Sequence, residues 1–434
     1  MAARRRRPFA RILPGLVLVL PLCAAPLTAE DWPQFRGPDG QGHSGERSLP
    51  LEWSEARNVR WKVPVPGSGW SSPVVANGRV WLTAAIDTPA ARGRRHGVSL
   101  RALAYDVESG RTLVDVELFR LDSLRAPNPK NTFASPTPIL DGDRVYAHFG
   151  ADGTAALSSE GTVLWRSVLP YESQHGAGGS PALYGDLLII NCDGNGNEAF
   201  VVALDVRTGR ERWKRPRRQP ADQAYSTPLV IRVGDRDQVI SVGAYRAAAL
   251  DPSTGREIWR VSYGDGFSNV PRPVYGHGLV FIATGFQQPT LIAVRPAGPG
   301  TAGSPAGDGG GDITRTHIAW TLRRGAPFTP SPLLVDDELY VVSDNGILTC
   351  VDAKTGAVRY QQRLGSTVSA SPVAADGRIY VLDEDGVTTV VAPGPSYRQL
   401  AVNRLDGATL ASMAVSAGSF FLRTDRHLYR IASP

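Results

Sequence analysis

Residues 249–259 read ALDPSTGREIW, and residues 203–213 read ALDVRTGRERW. Asp, Thr-Gly and Trp fall at the same offsets in both. A motif that recurs is either chemistry used twice or the seam of a repeated architecture. Working outward from it decides between the two. Each copy lies downstream of a small residue and Pro, then a turn residue, then a β-rich run. SPVVANGRVWL starts such a unit at Ser72, TPILDGDRVYA at Thr137 and SPALYGDLLII at Ser180. Further units start at Thr227, Arg272, Ser331, Ser371 and Ser412, and their basic period is 40 to 47 residues. Two units are stretched by insertions.

Each unit alternates apolar and polar residues in short runs broken by Gly, Asp and Asn, with almost no helical period. Four short strands at this period are the signature of a propeller blade. Asp-x-x-Thr-Gly then reads as the hairpin between the third and fourth strands. Its Asp and Thr can bond the turn's own N–H groups, and its Gly supplies positive φ. The aromatic eight residues after the Asp falls on the outer strand, against the neighbouring blade. Trp61-Lys62-Val63 matches Trp213-Lys214, yet precedes the first unit, while the last unit ends one strand short at Pro434. The fold expected is therefore all-β: an eight-bladed β-propeller of four-stranded blades, its ring closed by a strand at 58–66 that completes the last blade. Closure removes open sheet edges. Seven blades is the alternative if the divergent last unit does not close. Residues 86–97 read as a solvated hairpin tip, and the Gly-rich 297–311 as a flexible loop of the fifth blade.

Residues 1–29 read as a signal peptide, with an Arg-rich start, a short apolar run and a cleavage site at Leu27-Thr28-Ala29. The run is too short and too Pro-rich for a stable membrane span. Arg6-Arg7-Pro8-Phe9-Ala10-Arg11 also fits a twin-arginine signal. The domain plan is thus signal peptide 1–29, N-terminal extension 30–57 and propeller 58–434. We expect an exported monomer, periplasmic or extracellular. Five of the 47 basic residues precede Glu30, which leaves 42 against 41 acidic ones and no basic stripe for nucleic acid. Cys192 and Cys350, each inside an apolar run, read as buried thiols, with a disulfide as the other reading.

Gly194-Asn195-Gly196-Asn197-Glu198-Ala199 fits a dinucleotide fingerprint on paper, but a strand follows it where a helix is required. The same stretch begins like a calcium loop and lacks the Gly and the terminal Glu. HExxH, GxSxG and the P-loop are absent, and the seven histidines show no metal-ligand spacing. No catalytic residue and no metal ligand emerges. The loops entering each Ser-Pro strand should instead surround one channel mouth. They carry Trp70, Lys130, Asn131, Phe133, His175, Tyr225, Asn269, Arg272 and Phe328. Those groups suit a planar or peptide-like ligand in a concave mouth; they equally suit a plugged channel.

SPVVANGRVWL…ALDVRTGRERW resembles the pyrroloquinoline-quinone (PQQ) repeat across residues 58–434. That family covers quinoprotein dehydrogenases and the BamB-like scaffold lipoproteins of outer-membrane assembly. DWPQFRGPDGQGHS (31–44) is similar to the same stretch in a group of exported bacterial PQQ-like propellers. The resemblance implies one of two functions. The first is a non-catalytic scaffold that binds an envelope protein or peptide, or a small ligand in the channel, by strand addition or at the mouth. The second is a PQQ- and calcium-dependent dehydrogenase oxidising alcohols or sugars. The chain lacks the Cys-Cys pair and the CxxCH of the enzymes, so the scaffold is the first expectation and the cofactor stays open. A lectin-like sugar binder is a third reading, prompted by Trp70, Phe133 and Tyr225.

Overall fold

The computed structural model describes residues 30–89, 97–122, 127–194, 199–217, 223–286, 288–297 and 311–434. Its sheets are eight antiparallel blades in a ring. The first runs Val74–Ala76, Arg79–Thr88, Gly97–Asp106 and Thr112–Leu121 from the axis outward. The last runs Ala414–Ser416, Ser419–Arg423 and His427–Ala432, and Val59–Pro64 is its fourth strand. Trp61 stands opposite Arg430, and Lys62 opposite Tyr429. Eight blades closed by the N-terminal strand is the expected arrangement.

The opening motif is the seam between blades. In the third blade, Asp205 Oδ1 accepts from the N–H groups of Arg207 and Thr208 and from the Thr208 hydroxyl, all at 3.0 Å. Asp251 does the same for Ser253 and Thr254. The outer-strand Trp of one blade then donates to the carbonyl just after the Asp of the next. Trp165 reaches Val206 (3.0 Å), Trp213 reaches Pro252 (2.9 Å) and Trp320 reaches Ala353 (3.0 Å). Trp61 reaches Val107 at 2.9 Å and so carries the seam across the closure point.

A second belt runs round the axis. The backbone N–H that opens each inner strand donates to the Ser or Thr hydroxyl of the next blade. Ser72 bonds Thr137 (3.0 Å), Thr137 bonds Ser180 (2.9 Å) and Ser180 bonds Thr227 (2.9 Å). After Arg272, which has no hydroxyl, the belt resumes through Ser331, Ser371 and Ser412 and returns to Ser72 at 3.1 Å. The "small residue and Pro" of the repeat is this belt.

The fourth blade carries an addition to its four strands: Gly311–Asp312 pairs in parallel with Glu257–Ser262. The ends of the Gly-rich insertion are therefore anchored: Ala297 is buried and its carbonyl accepts from Gln238 Nε2. Trp259, lacking a neighbouring Asp-Thr-Gly turn, bonds Gln238 instead (2.8 Å). Residues 298–310, 90–96 and 195–198, on which the remaining loop expectations fall, lie outside the described residues.

The extension closes one end of the channel. Trp32, fully buried, exchanges two 2.8 Å backbone bonds with Val75. Pro33 accepts from Leu140, and Gly42 and Ser44 flank Ala374. Glu46 accepts from the N–H groups of Ala417 and Gly418. The segment therefore crosses beneath the ring from the first blade to the last.

Candidate functional site

With one end sealed, the channel becomes a cup of about 580 Å3 that opens at the loops entering the inner strands. Drug-sized ligands occupy sites of this volume. Aromatic rings form its wall: Trp70, His175, Tyr225, Phe267, Phe286 and Phe328. Phe267, Phe286 and Phe328 pack in series, with ring centroids 5.9 and 5.3 Å apart. Such offset and edge contacts hold aromatic groups in defined orientations. The seven belt Ser and Thr residues line the same cavity, together with Phe35, which the extension delivers.

Six of the nine residues expected at the mouth line this cup: Trp70, Lys130, Asn131, His175, Tyr225 and Phe328. Asn131 also shapes its own loop, donating to the carbonyls of His175 (2.8 Å) and Ala177 (3.1 Å). Phe133 instead faces a smaller pocket with Phe149 and Tyr171. Asn269 is buried and works as a brace. Its amide nitrogen donates to the Gly243 carbonyl, its side-chain oxygen accepts from Gly285, and its carbonyl accepts from Tyr225. Arg272 turns away from the mouth toward the extension, bonding the carbonyls of Pro228 (3.1 Å) and Phe35 (2.7 Å).

Sequence reasoning missed Phe35, Phe267, Phe286 and the belt. Phe267 lies two residues before Asn269 in the same loop, and the belt is the repeat itself. Phe35 carries no repeat signal, since the extension has no blade to align with.

Among the described lining residues Lys130 is the one Lys or Arg, and none is a carboxylate. Its ammonium lies 2.9 Å from Glu384, which also accepts from Ser369. Burial opposes ionisation of Glu384, yet these bonds hold its carboxyl below the ordinary range. Three guanidiniums lie buried behind the cup. Arg36 donates to the carbonyls of Ser331 and Pro332, and Arg423 to Ser71 and Thr83. Arg272 is the third. Burial pulls Arg36 down to about 9, and Arg272 and Arg423 to about 10, so all three remain charged at neutral pH.

A quinone held over calcium needs several oxygen ligands on a hard cation. Among its described lining residues the cup offers hydroxyls and aromatic faces without a carboxylate. Glu384 and Asp344 stand behind them, already bonded to Lys130 and Ser369 and to the N–H groups of Phe328 and Thr329 respectively. Among the described residues no group of three His, Cys, Asp or Glu is placed to hold a metal ion. Cys192 and Cys350 are separate buried thiols. The residues present do not fit a calcium–quinone centre.

Ring, belt and repeat define an eight-bladed PQQ-like propeller. The chain belongs to the family described as outer membrane protein assembly factor BamB, whose model matches residues 52–242 and 308–424. Among solved structures it is similar to BamB from Moraxella catarrhalis, with a TM-score of 0.58 at 13% identity over 86% of this chain and 97% of that one. A europium-containing methanol dehydrogenase gives 0.52 at 11% identity, over 84% and 89% of the two chains. The quinohemoprotein alcohol dehydrogenase ADHIIG from Pseudomonas putida HK5 gives 0.50 at 14% identity, over 84% and 76%. Likeness at these identities concerns the fold. No curated protein matches the chain by sequence. No helix among the described residues is long and apolar enough to cross a membrane.

Proposed function

We propose that this protein is exported, cleaved after Ala29, and works in the cell envelope as a non-catalytic propeller that binds a protein or ligand at the mouth of its cup. One observation carries the reading: the channel is closed at one end by the chain's own N-terminal segment, and its described lining residues bring aromatic rings and hydroxyls without a carboxylate. Such a lining supplies contact area and hydrogen bonds, whereas a hard cation such as calcium needs several oxygen ligands, carboxylates foremost, facing the substrate. Membership of a family described by an assembly factor supports a scaffold, and the poor fit to calcium counts against the dehydrogenase.

Two measurements test it. Purified residues 30–434, supplied with PQQ and calcium, should show no dye-linked oxidation of alcohols or sugars; turnover would overturn the non-catalytic reading. A photo-crosslinking residue placed at Phe328 in the native host should give a discrete adduct that the same residue at exposed Arg60 does not. Equal labelling at both positions would remove the cup as the binding site.

A further inference from the structure

The belt that fastens the blades leaves something over. A hydroxyl has one hydrogen to donate and two lone pairs. Each of the seven belt hydroxyls accepts one backbone N–H. None donates its own hydrogen to another group among the described residues, and all seven residues line the cup. Every one belongs to a residue at most 5% exposed, as at Ser412. The deep part of the cup is thus a ring of inward donors that the protein leaves without acceptors.

The charges behind the ring point the same way. Arg36 donates to the carbonyl of Ser331, a belt residue, and Arg423 to the hydroxyl of Ser71 at 2.7 Å, next to belt residue Ser72. Arg272 occupies the eighth belt position. None of the three lies within ion-pair distance of a carboxylate among the described residues. Asp39 is the acid whose charge reaches Arg36 and Arg272, and it is itself bonded to His43 at 2.7 Å. Cationic charge buried with so little compensation favours an anion nearby, and low local dielectric strengthens the effect.

We propose that the cup takes a carboxylate-bearing ligand with an apolar, aromatic body: the body lies against the rings of the mouth, and the carboxylate points down into the hydroxyl ring. Donors and positive charge lie deep, and aromatic faces lie at the entrance. A carboxylate accepts several hydrogen bonds at once, which no aromatic wall can supply. The assignment rests on the cup being a binding site and names the chemistry it selects.

The test uses 3-phenylpropionate and its uncharged amide, 3-phenylpropanamide, titrated calorimetrically into residues 30–434. The acid should bind about tenfold more tightly than the amide, the effect of one charge-assisted bond in a desolvated site. Thr227→Val keeps the side-chain shape, removes one donor and should narrow that ratio. Phe328→Ala, at the mouth, should weaken both probes equally. Thermal melts of both variants establish that they are folded. Equal binding of acid and amide, an unchanged ratio in Thr227→Val, or no binding of either probe at millimolar concentration would overturn the assignment. Adducts at Phe328 with no acid preference would retain the scaffold and discard only this ligand chemistry.

Discussion

Gly209 sits at φ 67°, and a Cβ there would lie 2.5 Å from the Trp165 ring of the preceding blade. Two requirements meet at one atom: a left-handed backbone and a flat surface on which an indole can rest. Gly185, in another hairpin of the same blade, has φ 55° and nothing within 4 Å of its Cβ position. Gly185→Ala should therefore cost about 1 kcal/mol, the left-handed strain alone. Gly209→Ala should cost about 3 kcal/mol, because the seam must also shift. Urea midpoints of the two variants compare them directly, and equal losses would mean that the indole contact contributes nothing. His148 gives a pH signature. It is buried, bonded to Thr154 Oγ1 at 2.8 Å, and burial pushes its imidazole down to about 4. Between the ordinary value of about 6.5 and 4, the unfolded chain takes up a proton that the folded chain refuses. Stability should fall across that window as pH drops, by about 3 kcal/mol at its acid end. His148→Asn should flatten this part of the profile, measured by denaturation between pH 7 and 4.

Among the strands, Val59–Pro64 matters out of proportion to its length. It is the outer strand of the last blade and carries Trp61 to the turn of the first, where Gly110 at φ 70° receives the ring. Trp61→Ala should cost about 3 kcal/mol through lost packing and the lost bond to Val107, whereas Trp61→Phe should cost about 1 kcal/mol. If closure were incidental, both variants would melt with the parent. This strand was legible in the sequence because Trp61-Lys62-Val63 repeats an outer-strand pattern out of order. The fifth strand of the fourth blade was not. Gly311–Asp312 has no apolar alternation, and only its position beside Trp259 makes it a strand.

Over the whole molecule, the extension turns a ring into a vessel. Its anchors are spread over the first, second, seventh and last blades, so its loss would loosen the ring's inner edge as well as open the floor. Trp32→Ala should cost about 3–5 kcal/mol, the range for a fully buried large aromatic. A variant as stable as the parent would show the extension to be merely draped on the ring. The same geometry explains which part of the site could be read in advance. Residues in loops before a Ser-Pro strand share a register, and the fold carries that register to one mouth; Trp70, Tyr225 and Phe328 were found in this way. Asn269 and Arg272 share the register too. They are drawn inward because a buried loop carbonyl and an extension without a blade of its own needed donors there.

The sequence alone determined what is periodic: the strand pattern, the blade count, the Asp-Thr-Gly seam and the strand that closes the ring. Each is a local arrangement repeated, so each leaves a spacing that can be counted. Tertiary structure decided what happens once: which end of the channel is sealed, how Phe35 reaches the cup, and where three guanidiniums lie relative to the hydroxyl ring. Those facts join residues hundreds of positions apart through single contacts, such as Arg36 with Ser331. A single contact leaves no period in the chain to be read.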